Sequence, residues 1–311
     1  MQINTKPNVL ILLATYNGEK WIKSQLNTIL NQSEINAHIV VSDDNSTDQT
    51  PQIIKSFCKL HPTISIILNK QSSGSAGGNF KRLITNVGAD KYQYIAFSDQ
   101  DDLWANNKII SAINCIKKNY SSGYSSSVLA FWQDGTKKNI KISSNETIAD
   151  FLFEGGGQGC TFVLPINIFN KIKEFCIKHN EDIEGFYYHD WLIYLLVRSW
   201  DGKWFFDQNS SMYYRQHQNN DTGSRGTLLS ITKRVEKIRN GWFKNQIAIA
   251  LKIYFLAANH KNKSIMSFSK VFNEKDSISR RLLITKFVWL HGRRRLSDRL
   301  VMVVASILGY I

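Results

Sequence analysis

The chain has 311 residues, 43% apolar and 21% charged, which excludes a disordered polypeptide and allows one large domain or two modest ones around a sizeable core. Lysine and arginine number 39 against 25 acids, a formal net charge of +14 that points to an anionic partner: nucleic acid, an anionic membrane face or a phosphorylated substrate. Four scattered cysteines (Cys58, Cys115, Cys160, Cys176) without a C-x-x-C pair argue against a zinc site or a disulfide framework, and with no secretory-signal pattern or bilayer-length apolar run they suit a cytoplasmic protein.

Residues 8–14 (NVLILLA) are a short apolar run, the pattern of a buried strand. Residues 19–30 then place Trp21, Ile22, Leu26, Ile29 and Leu30 at helical spacing. The alternation continues with a strand over 37–42, a helix over 49–60, a strand over 63–68, a helix over 79–88 and a strand over 92–97. This order predicts an α/β fold, a mostly parallel sheet with helices on both faces. Ligands of such sheets sit at the carboxyl ends of the strands. Three of those ends carry polar clusters: 15–18, 43–44 and 99–102. Residues 123–225 are less regular, with a glycine-rich segment at 155–159, an apolar helix over 191–200 and a polar segment at 214–223. Beyond a boundary near 225, residues 230–256 and 277–310 read as basic, partly amphipathic helices.

The sharpest chemical signal is Asp99-Gln100-Asp101-Asp102. Three carboxylates this close repel one another and invite a cation; oxygen ligands select Mg2+ or Mn2+. A solvated turn capping the next helix is the competing explanation. Asp43-Asp44 ahead of Ser46, Thr47 and Asp48 fits a helix cap, and equally a carboxylate accepting the imide N–H of a pyrimidine base. Tyr16 in 14–18 can stack on a base, although the glycine spacing of a phosphate loop is missing. Asp190, between His189 and Trp191 at the start of the apolar helix, is a cap or a general base beside aromatic surface. Arg215 and His217 bring a guanidinium and an imidazole close together, suited to a diphosphate.

Taken in order, the strings ATYNG (14–18), QLNTIL (25–30), SDDNSTD (42–48), FSDQDDLW (97–104), HDW (189–191) and YRQHQNN (214–220) resemble inverting family 2 glycosyltransferases of the GT-A fold, and most closely their bacterial rhamnosyltransferase-like branch. The resemblance covers about residues 8–225. It implies a catalytic domain over 1–225, with a donor half to about 104 and an acceptor half from 105, followed by a helical region over 226–311. It implies a nucleotide-sugar site of Thr15, Tyr16, Asn17, Glu19, Asp43, Asp44, Asn79, Asp99, Gln100, Arg215 and His217. Asp99 and Asp101 match the D-x-D metal motif for Mn2+ or Mg2+, Asp190 the catalytic base, and Trp104, Gly159, His189 and Trp191 the acceptor side. Two departures stand out: the long run 72–78 (SSGSAGG), and His189 where many relatives carry Glu.

The expected reaction moves a sugar, L-rhamnose from dTDP-L-rhamnose in the first instance and from a UDP- or GDP-sugar otherwise, onto a lipid-linked glycan of the bacterial surface. The bases between 281 and 299, interleaved with apolar residues, suit a helix lying on an anionic inner membrane, so a peripheral location on the cytoplasmic face is expected. Packing on the catalytic domain or in a homo-oligomer is the other reading of that segment. A nucleic-acid-binding protein is the main rival, but the basic residues are spread widely and no helix-turn-helix, RNP or zinc signature appears. A nucleotidyltransferase would carry a basic glycine-rich triphosphate loop near the N-terminus, and a sugar-binding module would not need paired carboxylates behind two strands.

Overall fold

The apolar run at the N-terminus becomes β1 (Asn8–Thr15), buried along nearly its whole length at the middle of a nine-stranded sheet. An unbroken apolar strand needs cover on both faces, and helices provide it here. The structure, a computed structural model, describes residues 5–217 and 235–311. β1 pairs in parallel with β2 (Asn36–Asp43) on one side and β4 (Tyr94–Ser98) on the other, and β3 (Ile64–Leu68) extends beyond β2. The sheet continues past β4 through β8 (Val163–Pro165), β6 (Gly123–Phe131), β9 (Trp204–Arg215) and β5 (Leu103–Trp104), with β7 (Lys137–Ile140) on the edge of β6. This second half is mixed, since β8 runs antiparallel to both β4 and β6 while β6 and β9 are parallel.

Alternation along β1 divides the interior. Val9, Ile11 and Leu13 face one core, shared with α1 (Ile22–Leu30), α2 (Thr50–Leu60) and α4 (Lys108–Asn119). Leu10 and Leu12 face the other, shared with α3 (Ala76–Asn86), α5 (Ile166–Lys178) and α6 (His189–Ser199). The C-terminal helices α7 (Trp242–Ala257), α8 (Lys263–Phe272), α9 (Ile278–His291) and α10 (Leu296–Ile307) add Ile247, Phe268, Ile284 and Met302 to this second core. The expected boundary near 225 lies outside the described residues.

Several sequence expectations shift. The helix read from 79 begins at Ala76, where the Ser75 hydroxyl accepts from Gly78 N. Part of the glycine run is therefore helix, and Gly77 is there for space: a Cβ would sit 2.1 Å from the Tyr187 carbonyl oxygen. Residues 277–310 are two helices, broken between His291 and Leu296, and α8 was not foreseen. Trp104, Trp191 and His189, expected on the acceptor side, are core residues. Trp104 is capped by the Lys108 ammonium 3.7 Å from its ring centroid. Trp191 donates from Nε1 to the Phe151 carbonyl and packs on Phe186 and Phe243. The His189 ring stacks on Phe80 at 3.9 Å. Burial, helped by the nearby Lys81 ammonium, pushes its imidazole down to about 3.

Two outcomes follow from this packing. Gly77→Ala forces backbone apart and should cost about 1–3 kcal/mol in urea unfolding, whereas Gly88→Ala, with nothing within 4 Å, should be silent. His189 stays neutral in the fold while the unfolded chain takes up its proton below a pH of about 6.5. Stability should therefore fall as pH drops from about 6.5 towards 3, by up to ~1.4 kcal/mol per pH unit. His189→Gln should flatten that limb of the stability–pH curve.

Candidate active site

The register aligns the ends that matter: Thr15 lies opposite Asp43, and Leu13 opposite Ser98, so the loops after β1, β2 and β4 open on one edge of the sheet. β1 lies between β2 and β4, the point where strand order reverses and α/β sheets bind ligands. These loops are stitched together by side chains. Gln100 Oε1 accepts from Thr15 Oγ1 at 2.6 Å and from Tyr16 N at 2.9 Å, while its Nε2 donates to the Tyr16 carbonyl. Asn17, held at a φ of 48°, donates from its backbone N to Ser46 Oγ and accepts at Oδ1 from Thr47 N. Glu19 and Asp48 exchange roles, Glu19 accepting from Gln49 N and Asp48 from Glu19 N.

The acidic pair after β2 divides in function. Asp44 is consumed by the protein, accepting from Ser72 Oγ, Ser73 N, Ser73 Oγ and Arg82 Nη1. It ties down the serine-rich run that the sequence left as a loop. Asp43 is buried and accepts from Ser46 N at Oδ1, but its Oδ2 has no partner among the described residues. A buried carboxylate oxygen without a donor is costly and calls for one. Asn79 is likewise internal, bonded through Oδ1 to Ser42 Oγ and through Nδ2 to the Ser42 carbonyl. Asp44 and Asn79 thus brace the site from inside the protein, exposed Glu19 and partly buried Gln100 tie its loops together, and half-exposed Tyr16 stands at its rim.

At the end of β4 the carboxylates take three different roles. Asp101 Oδ2 lies 2.6 Å from His217 Nε2, and the His217 ring stacks on Trp21 at 4.3 Å. Arg215 donates from Nε to the Asp101 carbonyl and from its backbone N to Asp102 Oδ1. The end of β9 is thereby folded over the acidic loop. Asp102 is fully buried; burial first, then the charges of Asp101 and Asp99, raise its pKa well above the usual range. Behind it lie Cys160, whose thiol burial also pushes far up, and Lys108, whose ammonium burial lowers to about 8.

Among the described residues, the group of three whose ligand atoms lie within 4.8 Å of one another is Asp99, Asp102 and Cys160. A deeply buried acid with a raised pKa and a thiol are poor ligands for a hard cation. The expected pair, Asp99 and Asp101, offers the carboxylate oxygens that suit Mg2+ or Mn2+, and the His217 imidazole beside it is hydrogen-bonded to Asp101. Sequence reasoning missed Trp21, Lys108 and Cys160: Trp21 reads as a helix apolar position, and nothing in the string marks the other two.

Asp190 stands in the first turn of α6, partly buried, with Oδ1 accepting from Trp191 N at 2.7 Å. The glycine segment passes directly over it. A Cβ on Gly159 would lie 3.2 Å from Asp190 Cβ and 2.6 Å from His189 Nε2, and one on Gly155 would lie 3.1 Å from Trp191 Cα. These glycines let a backbone segment press against the helix start that carries the carboxylate. The arrangement sets a cluster of carboxylates at the end of β4 and a separate carboxylate, Asp190, at the start of α6.

A profile of the family described as Glycosyl transferase family 2 matches residues 10–182. The chain is 38% identical over 236 residues to the dTDP-rhamnosyl transferase RfbG of Shigella flexneri, covering 76% of this chain and 82% of that protein. It is 30% identical over 189 residues to the UDP-Glc:alpha-D-GlcNAc-diphosphoundecaprenol beta-1,3-glucosyltransferase WfgD of Escherichia coli, covering 59% and 68% of the two chains. Among solved structures, residues 1-349 of S. aureus TarS in complex with UDP-GlcNAc superpose with a TM-score of 0.59 at 16% identity, over 97% of this chain and 89% of that one. The match over more than half of the chain, the close Shigella relative and the shared sheet together place the protein in glycosyltransferase family 2, as a glycosyltransferase with the GT-A fold.

Proposed function

We propose that the protein transfers L-rhamnose from dTDP-L-rhamnose, with inversion, to a hydroxyl of a lipid-linked glycan in the synthesis of O-antigen or a related surface polysaccharide. The observation that carries the donor is the 38% identity to the dTDP-rhamnosyl transferase of Shigella flexneri over most of both chains. The lipid-linked acceptor is supported by the E. coli relative, whose name specifies a diphosphoundecaprenol acceptor. That relative uses UDP-Glc, which makes a UDP-sugar the second reading of the donor.

In this reading the thymine ring stacks on Tyr16 and its imide N–H supplies the donor that Asp43 Oδ2 lacks. Asp99 and Asp101 would hold Mg2+ or Mn2+, whose charge would offset that on the departing nucleoside diphosphate. Arg215, already anchored to the Asp101 carbonyl, presents its guanidinium to the same diphosphate. Asp190 accepts the proton of the acceptor hydroxyl as that oxygen attacks the anomeric carbon from the face opposite the leaving group. One displacement inverts the centre and needs no protein nucleophile.

The C-terminal helices support attachment to the cytoplasmic face of the membrane. Among the described residues no helix is long and apolar enough to cross a bilayer. Yet Leu296, Leu300 and Val304 form an exposed i, i+4 stripe along α10, and Leu283 and Trp289 are exposed on α9 near the cations Lys286 and Arg299.

Asp190→Asn should abolish transfer, by about a thousandfold or more in kcat, and leave dTDP binding by calorimetry unchanged; full activity in a folded variant removes the base assignment. EDTA should stop turnover and added Mn2+ restore it. Leu300→Glu with Val304→Glu should reduce flotation with anionic liposomes while sparing transfer to a soluble acceptor; unchanged flotation would count against the membrane face.

A further inference from the structure

The transfer mechanism leaves unused a buried ion cluster behind the glycine segment. Asp150 is fully buried; its Oδ2 accepts from Arg294 Nη1 and from the Tyr194 hydroxyl, each at 2.7 Å, and its Oδ1 lies 3.4 Å from Arg198 Nη1. Arg294 is itself buried and is bonded on several sides. Its Nη2 donates to the Gly155 carbonyl at 2.6 Å, its Nε to the Ser143 carbonyl at 3.0 Å, and its backbone N to Glu154 Oε1 at 2.5 Å. The adjacent Arg293 donates from Nε to the Phe153 carbonyl. The joint between α9 and α10 therefore grips residues 153–155 from one side.

α6 grips the same stretch from the other side. Trp191 reaches the Phe151 carbonyl, and Tyr194 and Arg198 reach Asp150, three positions on one helix face. Residues 150–159 form a strap between the C-terminal joint and the first turns of α6, and its far end, Gly159, presses on Asp190. Buried ion pairs add little net stability compared with apolar packing. What a guanidinium supplies here is a rigid fork that fixes two backbone carbonyls and a carboxylate at once.

We propose that Arg294, with Asp150 as its counter-ion, is a positioning residue for the transfer reaction: it holds the 155–159 strap against the helix start that carries Asp190 and so sets the geometry of the acceptor hydroxyl. The inference rests on the reading of Asp190 as the base, and on no contact between Arg294 and substrate.

The test is steady-state kinetics on Arg294→Met and Arg294→Lys, with donor and acceptor varied separately and melting temperatures recorded. Arg294→Met should lower kcat by about tenfold or more and raise the acceptor KM, with the donor KM and dTDP affinity within twofold of wild type. Arg294→Lys, which keeps the charge but not the fork, should recover only part of kcat. Arg281→Met, on the same helix pair but ion-paired with Asp276, should leave kcat unchanged. A lowered melting temperature with wild-type kcat overturns the proposal, as does a parallel loss of kcat and donor affinity. Should Arg294→Met fail to fold, Glu154→Gln, which removes the charge that faces both the Arg294 backbone N–H and, at 3.6 Å, its Nε, must show the same split on a smaller scale; wild-type kinetics there overturn it too. Failure of the base reading is separate: it shows as transfer by Asp190→Asn, whereas the strap is judged on the acceptor–donor split.

Discussion

Like charges at the end of one strand are the constraint around which this molecule is built. Asp99, Asp101 and Asp102 cannot all be ionised in a partly buried loop without compensation. The fold answers residue by residue. Asp102 is buried, which raises its pKa and disfavours its charged form, and it becomes a hydrogen-bonding post for the Arg215 backbone. Asp101 is matched to the His217 imidazole. Lys108, forced beneath Trp104, sets a positive charge behind the cluster at the expense of its own desolvation. The outcome is a loop whose remaining negative charge faces outward, where a cation and a diphosphate can share it.

The second constraint is rigidity before ligand arrives. Loops that bind nucleotides are often left mobile, but here side chains from one loop close the bonds of the next: Gln100 with 15–16, Asn17 with 46–47, Glu19 with 48–49, Asp44 with 72–73. Each bond satisfies a backbone group that would otherwise need water. Several of the residues in the matching strings are also the mortar of the site. In the proposed reaction the acting groups are Tyr16, Asp43, Asp99, Asp101, Arg215 and Asp190, and of these Asp43 keeps one carboxylate oxygen without a hydrogen bond among the described residues.

This explains what could be read from the string. The donor half was legible because buried parallel strands are short apolar runs, and because polar clusters at their ends have few structural excuses. Helix starts were less so: the glycines before Asn79 look like a loop, and only the approach of the Tyr187 carbonyl shows why small residues begin a helix there. Trp104, His189 and Trp191 read as acceptor-side residues because their strings lie beside catalytic ones, but side-chain direction from a strand or helix decides burial, and sequence adjacency does not. Cys160 and Lys108 reach the acidic loop across the sheet, a contact that no spacing encodes.

The C-terminal region shows the same limit in its sharpest form. As a string, 281–299 is a basic stripe beside apolar residues, and both halves of that description invite a membrane. In the fold the stripe divides. Arg294 is buried on Asp150, and Arg293 donates from its guanidinium to the Phe153 carbonyl. Lys286 stays outside. A count of positive charge therefore overstates what a lipid surface would meet, while the apolar stripe of α10 is understated, since its residues lie outward where a helix packed only on protein would turn them in. Some of the arginines that look like membrane anchors are internal struts of the catalytic core. The exposed apolar stripe of α10 and the arginines that brace the segment over Asp190 thus belong to one pair of helices.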